Sequence, residues 1–230
     1  HDKTALDYAL ANRHTEIVAL LADISVADAK TQMPKWALTR AAKAGDAAEM
    51  KRLLAKGVSP DAKDEDGEPA LVWAAYYGHM DALALLRRHG ANLDATQSGD
   101  ATALMNAVWQ GKADCAEALL EWGADKDAAD SDGHTALHYA AMYGELECAR
   151  LLVAARADWA KTNNKGKTAL EAAREAGHAK VAELLEQAAA TLDDADPNAA
   201  LIELIGAHFP PAADEAKLML EEAAENAQPQ

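Results

Sequence analysis

One segment of this chain has the residue types of a phosphate-binding loop. Gly166, Lys167 and Thr168 match the end of such a loop, whose backbone N–H groups hold phosphate oxygens and whose lysine neutralises their charge. The motif also requires a glycine five residues before Gly166, after a strand, and this chain has Lys161 there. The spacing therefore predicts no nucleotide site. We interpret Gly166 as a turn glycine and Thr168 as the start of a helix.

Two other clusters contain residue types that bind metal ions. Four acids precede Gly133, namely Asp125, Asp127, Asp130 and Asp132. The alternating pattern of a calcium loop would need an acid at Ala128 and a glutamate where Tyr139 stands. His134 and His138 are four residues apart, as zinc ligands on a helix are, but no third ligand is evident. The sequence predicts no metal site, no cofactor and, since every common hydrolytic and redox motif is missing, no catalytic residues.

A repeat of 33 residues organises most of the chain. Glycine recurs at this spacing at Gly45, Gly78, Gly111, Gly144 and Gly177. Two leucine series have the same period: Leu38, Leu71, Leu104, Leu137 and Leu170, each after an alanine, and Leu53, Leu86, Leu119, Leu152 and Leu185. Each repeat thus contains two short apolar helices, and one such pair cannot bury its own apolar face. Stacked neighbours form a continuous core, which predicts an elongated solenoid.

The two cysteines occupy the same position of adjacent repeats. Cys115 and Cys148 are 33 residues apart, on second helices whose axes are expected about 8–10 Å apart. A disulfide needs alpha carbons about 4.4–6.8 Å apart, so we predict two small buried residues with free thiols.

The best copy of the repeat runs from Asp132 to Gly144 and reads DGHTALHYAAMYG. It resembles the ankyrin repeat, with an alanine in place of that family's proline after the threonine. Gly123-Ala124-Asp125 matches a second family signature, after the second helix. The resemblance implies an all-α solenoid of about six helix-turn-helix repeats, near residues 1–31, 32–63, 64–96, 97–129, 130–162 and 163–188. It also implies that His138 bridges neighbouring turns by hydrogen bonds.

The repeat pattern is irregular at its start and ends before the chain does. Arg13 stands where the first turn glycine belongs, and residues 24–32 are expected to form a reshaped loop. Residues 189–230 are predicted to form a C-terminal helical extension, with one helix beginning at Asp196-Pro197 and another after Pro210-Pro211. Nine acids and one lysine make this extension strongly acidic. It either caps the solenoid or contacts a partner.

Composition limits the kind of partner. Lys and Arg number 22 against 38 Asp and Glu, and such an acidic chain repels nucleic acid phosphates. No apolar run approaches the length of a membrane span, so we expect no membrane insertion. A protein with a basic patch is the expected partner class. High alanine content favours a bacterial source, but the chain begins with His1, so the compartment, bacterial cytoplasm or periplasm, stays open.

The resemblance also implies where a partner binds. Ankyrin proteins contact partners through turn tips and through the two residues before the first-helix glycine. In the three central repeats these two residues are expected to face solvent, and they are Tyr76 and Tyr77, Trp109 and Gln110, and Met142 and Tyr143. The turn residues Asp66, Glu68, Asp132 and His134 are expected to form an acidic rim. Trp73 and Tyr139 are predicted to belong to the core.

These expectations favour a protein-binding module, monomeric when free, over an enzyme. The first hypothesis is a module that occludes one partner on its concave face, as an inhibitor or immunity protein of a bacterial enzyme or toxin. A scaffold or adaptor with several partners is the alternative. An enzyme would need a site in the C-terminal extension, where Glu203, His208 and Asp214 are the available polar residues.

Overall fold

A computed structural model of the protein describes residues 34–192. This part contains ten α-helices and, besides them, only isolated β-bridges. The helices are α1 (Pro34–Ala44), α2 (Ala47–Ala55), α3 (Ala70–Tyr77), α4 (Met80–Arg88), α5 (Ala103–Trp109), α6 (Ala113–Glu121), α7 (Ala136–Tyr143), α8 (Leu146–Ala154), α9 (Ala169–Ala176) and α10 (Ala179–Leu192). The irregular first repeat at 1–31, the loop at 24–32 and the extension after Leu192 lie outside the described residues.

The helices form five antiparallel pairs stacked in two layers. Each odd-numbered helix contacts the next odd-numbered one, and the even-numbered helices do the same. We call α1, α3, α5, α7 and α9 the inner helices and the others the outer helices. The predicted all-α repeat solenoid is thus confirmed for the described part of the chain.

The repeat leucines fill the space between the layers. Leu38, Leu71, Leu104 and Leu137 are at most 1% exposed, and the second leucine series is at most 4% exposed. Alanines of the inner helices lie among them, and their small side chains let adjacent helices approach closely. In the last pair Leu170 is only half-buried. The core is therefore continuous through the central repeats and thinner at this end.

Local signals set the ends of the inner helices. Thr102 caps α5 by accepting a hydrogen bond from the Met105 N–H, and Thr168 forms a reciprocal capping box with Glu171 on α9. Gly78 ends α3 with a φ of 79°, in the left-handed region that a side chain disfavours. The chain can thus turn at once into the outer helix of the same pair.

Hairpin-like turns precede the inner helices α3, α5, α7 and α9 and project at one edge of the solenoid. We call them fingers one to four, at residues 63–69, 96–102, 129–135 and 162–168. In each of three fingers, one side chain accepts hydrogen bonds from two backbone N–H groups of the same finger. Asp130 Oδ1, for example, accepts the N–H groups of Asp132 and His134 at 2.9 and 2.8 Å, and Asp64 and Asn163 do the same in fingers one and four.

Two further sequence predictions can be compared with this structure. Cys115 and Cys148 are buried free thiols, as predicted. Burial raises the pKa of Cys115 to about 11 and that of Cys148 to about 12, so both thiols stay protonated. No helix between residues 34 and 192 is long and apolar enough to cross a bilayer.

Candidate protein-binding surface

Six aromatic rings form a continuous row on the inner helices α3, α5 and α7. They are Trp73, Tyr76, Tyr77, Trp109, Tyr139 and Tyr143, and we call them the aromatic surface. The rings of Tyr76 and Trp109 join α3 to α5 with 5.6 Å between their centroids. Trp109 lies 5.8 Å from Tyr143 on α7. Because each ring contacts the next, their orientations are mutually fixed.

Exposure differs along this surface. Tyr77 and Tyr143 are each 47% exposed, as predicted. The prediction that Tyr76, Trp109 and Met142 face solvent is wrong, since all three are half-buried. The two rings are covered by their ring neighbours, and Met142 packs against the core. Gln110, whose repeat lies between the repeats of Tyr77 and Tyr143, is also half-buried.

Two members of the aromatic surface were predicted to be core residues. Both Trp73 and Tyr139 are half-buried, and Tyr139 also packs against the core. Each stacks on the tyrosine four residues later, with interplanar angles of 20° for Trp73 on Tyr77 and 8° for Tyr139 on Tyr143. The sequence already indicated that these ring pairs meet, because residues four apart share one face of a helix.

Carboxylates of the fingers anchor these two rings by their polar atoms. Trp73 Nε1 donates to Asp64 Oδ2 at 2.9 Å, and Tyr139 Oη donates to Asp130 Oδ2 at 2.8 Å. Burial opposes ionisation of Asp64, but hydrogen bonds from the Glu68 N–H, from Lys43 and from Trp73 outweigh it and lower its pKa. Burial and the Asp130 carboxylate raise the pKa of Tyr139 above its ordinary value. The finger and the inner helix are therefore locked together at both rings.

An ion pair between an inner helix and a finger bounds the aromatic surface at each end. On α1, Lys43 Nζ lies 3.0 Å from Asp64 Oδ2 and 3.7 Å from the centroid of the Trp73 ring. On finger four, Lys167 Nζ donates to both carboxylate oxygens of Glu175 on α9, at 2.6 and 2.7 Å. An open cleft adjoins each pair, of about 210 Å³ beside Lys43 and about 280 Å³ beside Lys167. The solvent-exposed rings of the aromatic surface thus lie only between these two ion pairs.

The predicted acidic rim is present in part. Asp66 and Asp132 are exposed at finger tips, whereas Glu68 and His134 are half-buried. Glu68 Oε1 accepts the N–H of Ser98 at 3.2 Å, and its other oxygen is buried without a partner. His134 Nδ1 lies 3.6 Å from Asp130 Oδ2. Glu68 therefore links finger one to finger two, and His134 contacts Asp130 within finger three. Their predicted place on the rim is corrected accordingly.

Asp100, on the tip of finger two, was not predicted and is exposed. Its backbone φ is 63°, in the left-handed region, where aspartate is tolerated better than most residues with a side chain. The corresponding residues of fingers one and three are Gly67 and Gly133, so the departure from the repeat pattern was visible in the sequence. Fingers one to three therefore each present at least one exposed carboxylate, with Glu65 beside Asp66 on finger one.

His138 holds neighbouring repeats together. Its Nδ1 accepts the N–H of Thr135 at 3.2 Å, which leaves the hydrogen on Nε2 to be donated to the Lys167 carbonyl at 3.0 Å. Burial lowers the pKa of His138, so the neutral imidazole is favoured. This bridge between turns is the one that the family resemblance implied. Within residues 34–192 no three histidine, cysteine or acidic side chains are grouped to hold a metal ion.

Comparison with protein families identifies the repeat. Residues 38–130 and 123–199 match the family model described as ankyrin repeats (3 copies). The chain belongs to the ankyrin-repeat family. Ankyrin repeats are generally modules for protein–protein interaction and are typically not enzymes. No curated protein matches the ankyrin chain significantly.

Proposed function

We propose that this ankyrin protein, a monomer when free, binds one protein partner on the aromatic surface and covers the partner's own functional site. It would then act as an inhibitor or immunity protein of a bacterial enzyme or toxin. The observation that carries this proposal is the row of six rings on three inner helices, with Tyr77 and Tyr143 open to solvent. Tyrosine and tryptophan dominate the energetics of protein interfaces because each gives a large contact area with few rotatable bonds.

The packing of the rings favours one tight partner. Trp109 lies at the centre of the row, and its contacts with Tyr76 and Tyr143 hold it in place before any partner arrives. A surface that is ordered in the free protein loses little conformational entropy on binding. Tyr76, Tyr77, Trp109, Gln110, Met142 and Tyr143 are proposed to contact the partner, with Asp66 and Asp132 beside them.

Capture from lysate and envelope fractions of the source organism tests the proposal. The bait is the wild-type chain, and the test variant is Tyr77→Ala with Tyr143→Ala. These residues are preferable to Trp109 because their exposure lets the variant keep its thermal stability. Trp159→Ala is the matched control, since Trp159 is 37% exposed and lies outside the aromatic surface, in the turn after α8.

The expected result is one protein retained by wild type and control and lost by the double variant. With that protein purified, the double variant should weaken binding by about 30-fold or more, since one interface hot spot contributes about 2 kcal/mol or more. Light scattering should give a one-to-one complex, and the partner's activity should fall in proportion to its occupancy. Full retention by the double variant contradicts the proposal. Several partners, retained with their activities intact, would favour the scaffold hypothesis instead.

A further inference from the structure

The fingers beside the aromatic surface differ in charge along the solenoid. Asp66, Asp100 and Asp132 are exposed on fingers one, two and three, and none of them forms an ion pair within residues 34–192. Finger four instead presents the exposed Lys165, next to Lys167, which pairs with Glu175. The edge is therefore acidic where it borders the rings and basic beyond them.

Hydrogen bonds between fingers hold these carboxylates in a row. The N–H of Ser131 on finger three donates to the Gly99 carbonyl on finger two at 2.9 Å, and the N–H of Asn164 on finger four donates to the Asp132 carbonyl at 3.0 Å. Stacked helices are separated by about 8–10 Å, so equivalent positions of adjacent fingers have about that spacing. A partner thus meets a preorganised line of negative charges rather than flexible loops.

Lys43 shows within the molecule how this surface accommodates a cation. Its ammonium group lies 3.7 Å from the centroid of the Trp73 ring and 3.0 Å from Asp64 Oδ2. A ring face and a finger carboxylate therefore hold one positive charge between them. The position equivalent to Lys43 is Tyr76 in the next repeat and Trp109 in the one after. In the repeat of Trp109 the equivalent carboxylate and ring remain, as Asp130 and Tyr139, without a lysine at the position of Lys43. In the repeat of Tyr76 those two positions are Gln97 and Asn106.

We infer that the partner presents a segment with two or more arginine or lysine side chains, which lie between the aromatic surface and the carboxylates of Asp66, Asp100 and Asp132. This inference rests on the proposed function and adds the chemistry of the segment that binds. Arginine fits best, because its planar guanidinium group stacks on a ring while donating to a carboxylate. The basic stretch ends before finger four, where Lys165 repels it. A net charge of −16 also steers basic partners toward the protein.

Selection from a displayed library of random linear peptides tests this chemistry without a known partner. Wild type is compared with a finger variant that carries Asp66→Lys, Asp100→Lys and Asp132→Lys. The matched control carries Glu117→Lys, Glu121→Lys and Glu183→Lys, all exposed on the outer helices α6 and α10. Both variants change the net charge equally. The Tyr77→Ala, Tyr143→Ala variant shows which peptides use the aromatic surface, and thermal melting confirms that every variant is folded.

Wild type and the control should both enrich arginine and lysine over the starting library, and the finger variant should not. A recovered peptide should bind the finger variant about tenfold or more weakly than it binds the control. Equal loss of basic enrichment in both charge variants would overturn the inference, because overall charge would then explain it.

The remaining outcomes separate this inference from the proposed function. Peptides that depend on Tyr77 and Tyr143 but show no basic enrichment overturn the inference and leave the proposed binding surface standing. Peptides that bind the tyrosine variant as well as wild type count against both. Recovery of no peptide by wild type also overturns the inference, since a segment that binds these rings and carboxylates on its own is what it requires.

Discussion

The central and outermost repeats of the described chain share one backbone design but differ where the inner helices meet the fingers. At the position two residues before the turn glycine, the central repeats have Tyr76, Trp109 and Met142, whereas the outermost ones have Lys43 and Glu175. These two charged side chains form ion pairs with the fingers and so bound the aromatic surface at each end. The core dictates the leucines of every repeat but constrains this position little, since of these five residues only Met142 packs against the core. Function therefore has room to differ between repeats without a change of fold.

The largest expected effect is on the free energy of unfolding, and it compares the core of a central repeat with the core of the last helix pair. Leu104→Ala should lower the free energy of unfolding by about 3 kcal/mol, because it removes a buried side chain and leaves a cavity. Leu170→Ala, at the equivalent position of the last pair, should lower it by only about 1–2 kcal/mol, since Leu170 is half-buried. Urea unfolding followed by circular dichroism measures both. Equal losses would show that the last repeat is as tightly packed as the central ones.

Protonation of His138 should distinguish the fourth described repeat boundary from the others. Burial lowers the pKa of His138 in the folded protein, so the unfolded chain takes up this proton first as the pH falls. The stability contributed by the neutral ring is fully present above about pH 6.5 and is lost below it, by at most about 1.4 kcal/mol per pH unit.

Urea unfolding of wild type and His138→Gln between about pH 7.5 and pH 5 measures this loss. The variant should be less stable at neutral pH, because it loses the bridge to the Lys167 carbonyl, and its stability should fall less as the pH drops. Parallel pH profiles for the two proteins would mean that His138 is not the titrating group.

A smaller gain in stability is expected at a turn of the penultimate repeat. Arg156 has a φ of 57°, whereas the earlier repeats have a glycine at the equivalent positions, Gly57, Gly90 and Gly123. Arg156→Gly should raise the free energy of unfolding by about 0.5–1 kcal/mol, because relief of left-handed strain exceeds the added chain entropy.

Asp100→Gly is the control for this substitution, since aspartate tolerates the left-handed region and should gain less. Thermal and urea unfolding compare the two variants. A neutral or destabilising Arg156→Gly would show that contacts of the arginine side chain outweigh the strain of its backbone.

Effects of about 1 kcal/mol or less are expected at the ion pairs that bound the aromatic surface. Lys167→Met should cost about 0.5 kcal/mol or less, because both partners are substantially exposed. Lys43→Met should cost about 1 kcal/mol, since Lys43 also loses the face of Trp73 and its partner Asp64 is largely buried. Chemical unfolding at low and high salt should show the salt dependence of both losses. If Lys167→Met proved the more costly, burial of the carboxylate would not govern these pairs.

Features that follow the 33-residue period were predictable from the sequence. The exposure of side chains that contact an adjacent repeat was not. The 33-residue period correctly placed the buried leucines, the turn glycines and the two free cysteines, because each follows from local helix geometry and stacking. The exposure of Tyr76 and Trp109 was misjudged. The repeat position of a residue gives the place of its side chain on the helix, but it does not show which ring from the next repeat covers that side chain. Glu68 and His134 were misplaced on the rim for the same reason.

The sequence by itself determined the architecture of this protein, since a helix pair repeated every 33 residues has no other way to bury its leucines. It also indicated the inner-helix positions that the core leaves free. Only the tertiary structure packed Trp109 against Tyr76 and Tyr143 and bonded finger two, which carries Asp100, to finger three. The reason is physical: ring stacking and finger-to-finger hydrogen bonds act between residues about 30 positions apart, and only the stacked repeats bring them into contact.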